Sequence, residues 1–201
     1  MMTVPQNPVV IIPGVLFWDT LYDTMKEAIA VYIPQERVAV APVSLVDWIG
    51  FSPSPERSTN RVMKVVGNFF QGDVYHPGRH VGKLITLGTP FHTHEHYAKI
   101  KTDFIFSHLT ADFFERCHVV SVVCDKYYGN PEGSLVEKMC FRFYKSVLEE
   151  GNVRGDGIVP AQSCFLEGAE NVTIPDAEHL PTPYSRWYGT KEGVNQWIQW
   201  L

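Results

Sequence analysis

Two stretches in the last quarter of the chain hold residue types that could do chemistry together. In "GNVRGDGIVPAQS", Asp156 stands between Gly155 and Gly157, directly ahead of the apolar pair Ile158 and Val159. In "NVTIPDAEHLPTP", His179 falls in a loop just after an apolar run. An acid followed by a histidine, each in a loop past a strand end, fits the later part of the chain order nucleophile, acid, base. In such a site the carboxylate holds the imidazole in one tautomer. It also stabilises the imidazolium that forms when the ring takes the nucleophile's proton. Each residue has a plainer reading as well. Asp-Gly is a strong turn signal, and a loop histidine can simply face solvent.

A second constellation competes. "FHTHEHY" places His92, His94 and His96 at alternating positions. In an extended segment they share one face, and three imidazoles are enough to ligate zinc. They follow a strand end in a loop that nothing holds extended, and no fourth ligand is evident, so metal binding stands as an alternative. Candidates for the nucleophile are poorer. Ser134 in "PEGSLVE" has one neighbouring glycine but sits in a polar loop. Cys124 closes an apolar run without the glycines that permit a strained turn, and reads as a buried structural thiol. Neither Gly-x-Ser-x-Gly nor Gly-x-Cys-x-Gly occurs anywhere in the chain.

The elements that must position these residues alternate between two periodicities. "PVVIIPG" (8–14) is a continuous apolar run, as expected of a strand buried on both faces. "WDTLYDTMKEAIAV" (18–31) sets Leu21, Met25, Ile29 and Tyr32 at helical spacing, with Pro34 as a stop. "RVAVAPV" (37–43), "KLITLGTP" (83–90), "HVVSVVCD" (118–125) and "AENVTIP" (169–175) read as four further strands. Ser58 and Thr59 are placed to cap a helix over 58–70. "RFYKSVLEE" and "DFIFSHLTADFF" suit core or lid helices, and "KEGVNQWIQWL" predicts a final helix with Val194, Trp197, Ile198 and Leu201 inward. Strands alternating with helices imply an α/β fold with a mostly parallel sheet.

Four stretches, "PVVIIPGVLFWDTLYDTM", "GKLITLGTPFHTH", "GDGIVPAQSCFLEGAENVTIPDAEHLPTP" and "WYGTKEGVNQWIQWL", resemble the lipase-like branch of the α/β-hydrolase superfamily. The likeness is nearest to predicted lipases of photosynthetic organisms and more distant to GPI inositol-deacylase-like proteins. It covers nearly the whole chain, and Leu-Gly-Thr-Pro combined with Gly-Asp-Gly-x-Val-Pro is its most specific part. It implies a single α/β-hydrolase-like domain over 1–201, with helices on both faces of the sheet. It implies that Asp156 is the triad acid, that His179 is the base, and that the backbone N–H of Val15 is one oxyanion donor. Ser163, just past the acid motif, belongs to the family pattern and reads as structural.

One part of that pattern is missing. Such enzymes carry their nucleophile in a Gly-x-Ser-x-Gly elbow between a central strand and the next helix. The elbow belongs between the helix ending near Phe70 and the loop beginning "QGDVYHPGRH" at Gln71, and here those segments abut. A strand, elbow and helix take on the order of 30 residues, so the expectation is an internal deletion at about 70/71 with the central elbow strand absent. The "PVVIIPG" and "KLITLGTP" strands are then expected to close up and pair in parallel. An intact relative would hydrolyse a carboxylic ester, of a lipid or another small molecule, through an acyl-enzyme. This chain is expected to be inactive as written. The alternatives are a non-catalytic binding or regulatory pseudo-hydrolase, and a metal-binding protein using His92, His94 and His96.

Composition sets the outer limits. The chain has 201 residues, 45% hydrophobic and 19% charged, an ordinary globular balance. A net charge of −5 argues against a nucleic-acid partner, which calls for a basic face. No apolar run reaches the ~18 residues of a membrane span. The first residues lack the basic and long apolar regions of a secretory signal. Cys117, Cys124, Cys140 and Cys164 form no Cys-x-x-Cys pair and read as reduced thiols. By default the expected location is intracellular, most simply cytoplasmic with an organelle left open. Nothing implies a cofactor.

Overall fold

The computed structural model describes residues 7–14, 19–42, 81–182 and 184–201. Its first elements are β1 (Val9–Ile11), α1 (Asp23–Ala30), β2 (Val38–Val40), β3 (Lys83–Leu87), α2 (His96–His108) and α3 (Ala111–Arg116). They are followed by β4 (His118–Cys124), β5 (Tyr127–Tyr128), α4 (Leu135–Leu148), β6 (Arg154–Gly155), β7 (Glu170–Ile174) and α5 (Lys191–Trp197). Two compact units result, one from Met1–Val81 with Gly189–Gln199, the other from Gly82–Tyr188 with Trp200–Leu201.

In the first unit β1 and β2 pair in parallel, Val9 opposite Val38 and Ile11 opposite Val40, with α1 in the connection. Parallel neighbours need such a crossover because a tight turn cannot return the chain in the same direction. The inward row is Tyr22, Met25, Ala28 and Ile29. It differs from the predicted row because Asp19–Tyr22 is a 3-10 turn, which rotates Tyr22 inward and leaves Leu21 half-buried. The Tyr22 hydroxyl accepts a 2.8 Å hydrogen bond from Gly14 N, tying the loop after β1 to the start of the helix. Thr190 caps α5 by accepting from Gly193 N at 3.1 Å; of the predicted inward row, Val194, Trp197 and Ile198 are buried and Leu201 is only half-buried.

In the second unit β3, β4 and β7 form a parallel sheet with β4 in the middle. That place explains why Val119–Cys124 are buried without a break, the pattern of a strand covered on both faces. The one hydroxyl in this run is satisfied: Ser121 donates to Cys164 O at 2.7 Å and accepts from Thr86 at 3.2 Å. Helix α4 starts at a capping box, in which Ser134 Oγ accepts from Glu137 N and Glu137 Oε2 accepts from Ser134 N.

The chain is therefore of the α/β class, with three parallel ladders and one short antiparallel pair, β5 with β6, among the described residues. Two expectations are corrected. Burial on both faces belongs to β4 and not to β1, where Val9 and Val10 are half-buried and the following Ile12 is 49% exposed. An apolar run bounded by prolines does not distinguish a middle strand from an edge strand. Nor is β1 paired with β3 in any described ladder, since β1 bonds to β2 and β3 to β4. Val15, the helix predicted over 58–70 and the junction at 70/71 lie outside the described residues. Among the described residues, no helix is long and apolar enough to cross a membrane.

Candidate active site

Asp156 sits at the tip of a loop that β6 opens. Gly155 bridges to Pro160, and Asp156 N donates to Val159 O at 3.1 Å, which folds the backbone back on itself. A Cβ on Gly155 would lie 2.2 Å from Val159 O, so only glycine permits that approach. Within the loop, Asp156 Oδ1 accepts from Ile158 N at 3.2 Å and from Val159 N at 2.8 Å. The plainer reading of Asp-Gly is thus also true, because one carboxylate oxygen builds the turn. The second oxygen remains for other work.

That second oxygen meets His179. Nδ1 of the imidazole lies 2.8 Å from Asp156 Oδ2, and His179 N donates to Asp156 O at 3.1 Å. Backbone and side chain therefore both bind the histidine to the acid loop, 23 residues earlier in the chain. A carboxylate oxygen only accepts, so the proton is assigned to Nδ1 and the lone pair to Nε2, the arrangement a base needs. The His179 side chain keeps 23% of its exposure while Asp156 keeps 1%. Burial disfavours the imidazolium, but the Asp156 charge and hydrogen bond more than offset it, holding the histidine above its ordinary value.

The loop carrying His179 is clamped on either side of the sequence Asp176-Ala177-Glu178. Lys126 Nζ reaches Asp176 Oδ1 at 2.8 Å and Glu178 Oε1 at 2.9 Å. Arg186 adds a 2.7 Å bond to Asp176, and the Tyr127 hydroxyl donates to Glu178 at 2.9 Å. Desolvation opposes the Lys126 charge, yet the acceptors Asp176 and Glu178 hold its value well above the usual lysine range. Between the two acids, Ala177 N donates to Cys124 Sγ at 3.1 Å, anchoring the loop to the end of β4.

Two contacts of this pair carry no signal in residue spacing. Gly88, directly after β3, has φ +59°, and a Cβ there would lie 2.6 Å from Asp156 Oδ2 and 3.1 Å from His179 Nδ1. The glycine of Leu-Gly-Thr-Pro is thus the backbone against which Asp156 and His179 rest. Buried Tyr188 donates its hydroxyl to Asp156 Oδ2 at 3.1 Å. Only the resemblance in "WYG" touches that residue in the sequence, and it assigns it no role.

The other candidates are held in structural roles. Ser134 is the cap of α4, and Ser163 is buried and donates to Pro160 O at 2.7 Å. Cys124 is buried, which pushes its thiol up and disfavours the nucleophilic thiolate. All four cysteines are free and buried. His92 stacks on Phe106 with ring centres 5.7 Å apart, while His96 opens α2, so the three histidines do not lie on one extended segment. Among the described residues, no three His, Cys, Asp or Glu side chains are grouped as a metal ion requires.

Comparison of the chain with protein-family models, with curated proteins and with solved structures finds no match.

Proposed function

We propose that this chain is an α/β-hydrolase-like protein of the lipase or esterase kind that retains its acid and base but lacks its nucleophile. The observation that carries the reading is the 2.8 Å contact between Asp156 Oδ2 and His179 Nδ1, made by residues 23 apart on separate loops. In an intact relative the serine hydroxyl would give its proton to the imidazole Nε2 as its oxygen attacks the ester carbonyl. The same nitrogen would then protonate the departing alcohol, and water would release the acyl group.

With acid and base but no nucleophile, the pair has nothing to activate except water. Loss of a triad member lowers turnover on the order of 10⁴–10⁶-fold. The purified chain is therefore expected to hydrolyse p-nitrophenyl butyrate no faster than a positioned histidine acting alone or through water allows, and without a burst of acyl-enzyme. A pre-steady-state burst of p-nitrophenol, with the acyl group trapped on a serine and lost in His179→Ala, would show that a nucleophile is present and would sink the proposal.

A further inference from the structure

Asp156 Oδ2 receives two donors from different parts of the chain, the imidazole Nδ1 at 2.8 Å and the Tyr188 hydroxyl at 3.1 Å. We propose that Tyr188 is a positioning residue of the pair, whose hydroxyl competes with His179 for this one oxygen and so tempers the basicity of the imidazole. This rests on the reading of Asp156 and His179 as an acid–base pair.

The geometry leaves the tyrosine one role at this contact. A carboxylate oxygen cannot donate, so the phenol must. Tyr188 is 3% exposed, and burial, followed by the Asp156 charge, pushes its ionisation well above the usual tyrosine range. It therefore keeps the proton it donates. The other oxygen is already occupied by Ile158 N and Val159 N, so the carboxylate cannot rotate to offer each donor a separate oxygen. The titratable neighbours of the phenol and carboxylate include Cys124 at the end of β4 and Cys164 in the turn before β7, and those of the carboxylate also Cys140 and Tyr144 on α4, all buried groups with raised values. On the far side of the His179 loop, Lys126 is bound to Asp176 and Glu178.

The chemical consequence concerns a base. A buried carboxylate acting on one imidazole alone would hold the ring protonated to higher pH, and a protonated ring cannot accept a proton. General bases work best with a value near the operating pH. Sharing the oxygen with a neutral donor draws part of the carboxylate's charge away from the imidazolium. The tyrosine also spans from the Asp156 loop to the chain just before α5, fixing the carboxylate against rotation.

The test is an NMR titration of the full chain labelled with ¹⁵N-histidine, with the His179 signals assigned by their loss in His179→Gln. Tyr188→Phe preserves the ring and deletes the donor. It should raise the His179 midpoint by about 0.5–1 pH unit, the size expected when an ordinary hydrogen bond stops competing for the oxygen. Incorporating 3-fluorotyrosine at position 188 alone makes a stronger donor and should lower the midpoint. Opposite shifts from two variants of nearly equal shape are not produced by a merely structural role. If the wild-type pair gives its downfield Nδ1 proton but Tyr188→Phe leaves the midpoint unchanged or lowers it, the inference about Tyr188 is overturned and the pair stands. If the wild type itself lacks that proton and titrates as a free histidine, both readings are overturned.

Discussion

Asp156→Ala is expected to cost about 3–5 kcal/mol of folding stability, the range for removing one partner of a buried, hydrogen-bonded pair. The side chain is 1% exposed, and its removal takes an acceptor from Ile158 N, Val159 N, the Tyr188 hydroxyl and His179 Nδ1 together. The variant should also reverse the pH dependence. In the wild type the folded His179 value lies above the unfolded one, so its contribution is fully present below the unfolded value of about 6.5. That contribution is lost as pH rises through the folded value. Without the carboxylate, burial alone remains, and burial lowers a histidine. Stability of the variant should then rise with pH up to about 6.5, where the unfolded histidine has lost its proton. Denaturant melts between about pH 5 and 8 read both effects. Parallel pH profiles for the two proteins would show that the pair contributes nothing to the fold.

Gly88→Ala is the second large effect. At φ +59° an L side chain is strained, and the added Cβ meets Asp156 Oδ2 at 2.6 Å and the Tyr188 ring at 3.0 Å. Together these are expected to cost about 2–4 kcal/mol. Gly88 N also donates to Val122 O at 2.9 Å, which extends the β3–β4 ladder by one bond, so a shift that relieved the clash would strain the sheet. Gly82→Ala is the control, because nothing lies within 4 Å of a Cβ there. Equal stabilities for the two variants would remove Gly88 from the account of the site.

What the sequence made legible follows from the range of the forces involved. Asp156 and His179 could be found because the turn chemistry of Gly-Asp-Gly and the end of an apolar strand are both local signals. β3, β4 and β7 were readable for the same reason, as their β-branched runs repeat in five to seven residues. β5 and β6 have two residues each, too short to show any period. Tyr188 and Lys126 act across 32 and 52 positions, and such contacts exist only once the chain is folded. In α1 the predicted inward row failed at both ends, because a 3-10 turn and an early helix end shift the register without changing composition. Leu-Gly-Thr-Pro carried resemblance alone; that its glycine lies against Asp156 and His179 emerges only from the folded backbone.

The absence of a nucleophile is the central claim, and a fluorophosphonate probe reads it most directly by forming a covalent adduct only with an activated serine. The purified chain is incubated with excess probe at neutral pH, and its intact mass is measured. The account predicts an unchanged mass, because a primed imidazole without a serine beside it leaves nothing to phosphonylate. A stoichiometric mass increase, mapped to one serine and lost in His179→Ala, would contradict it.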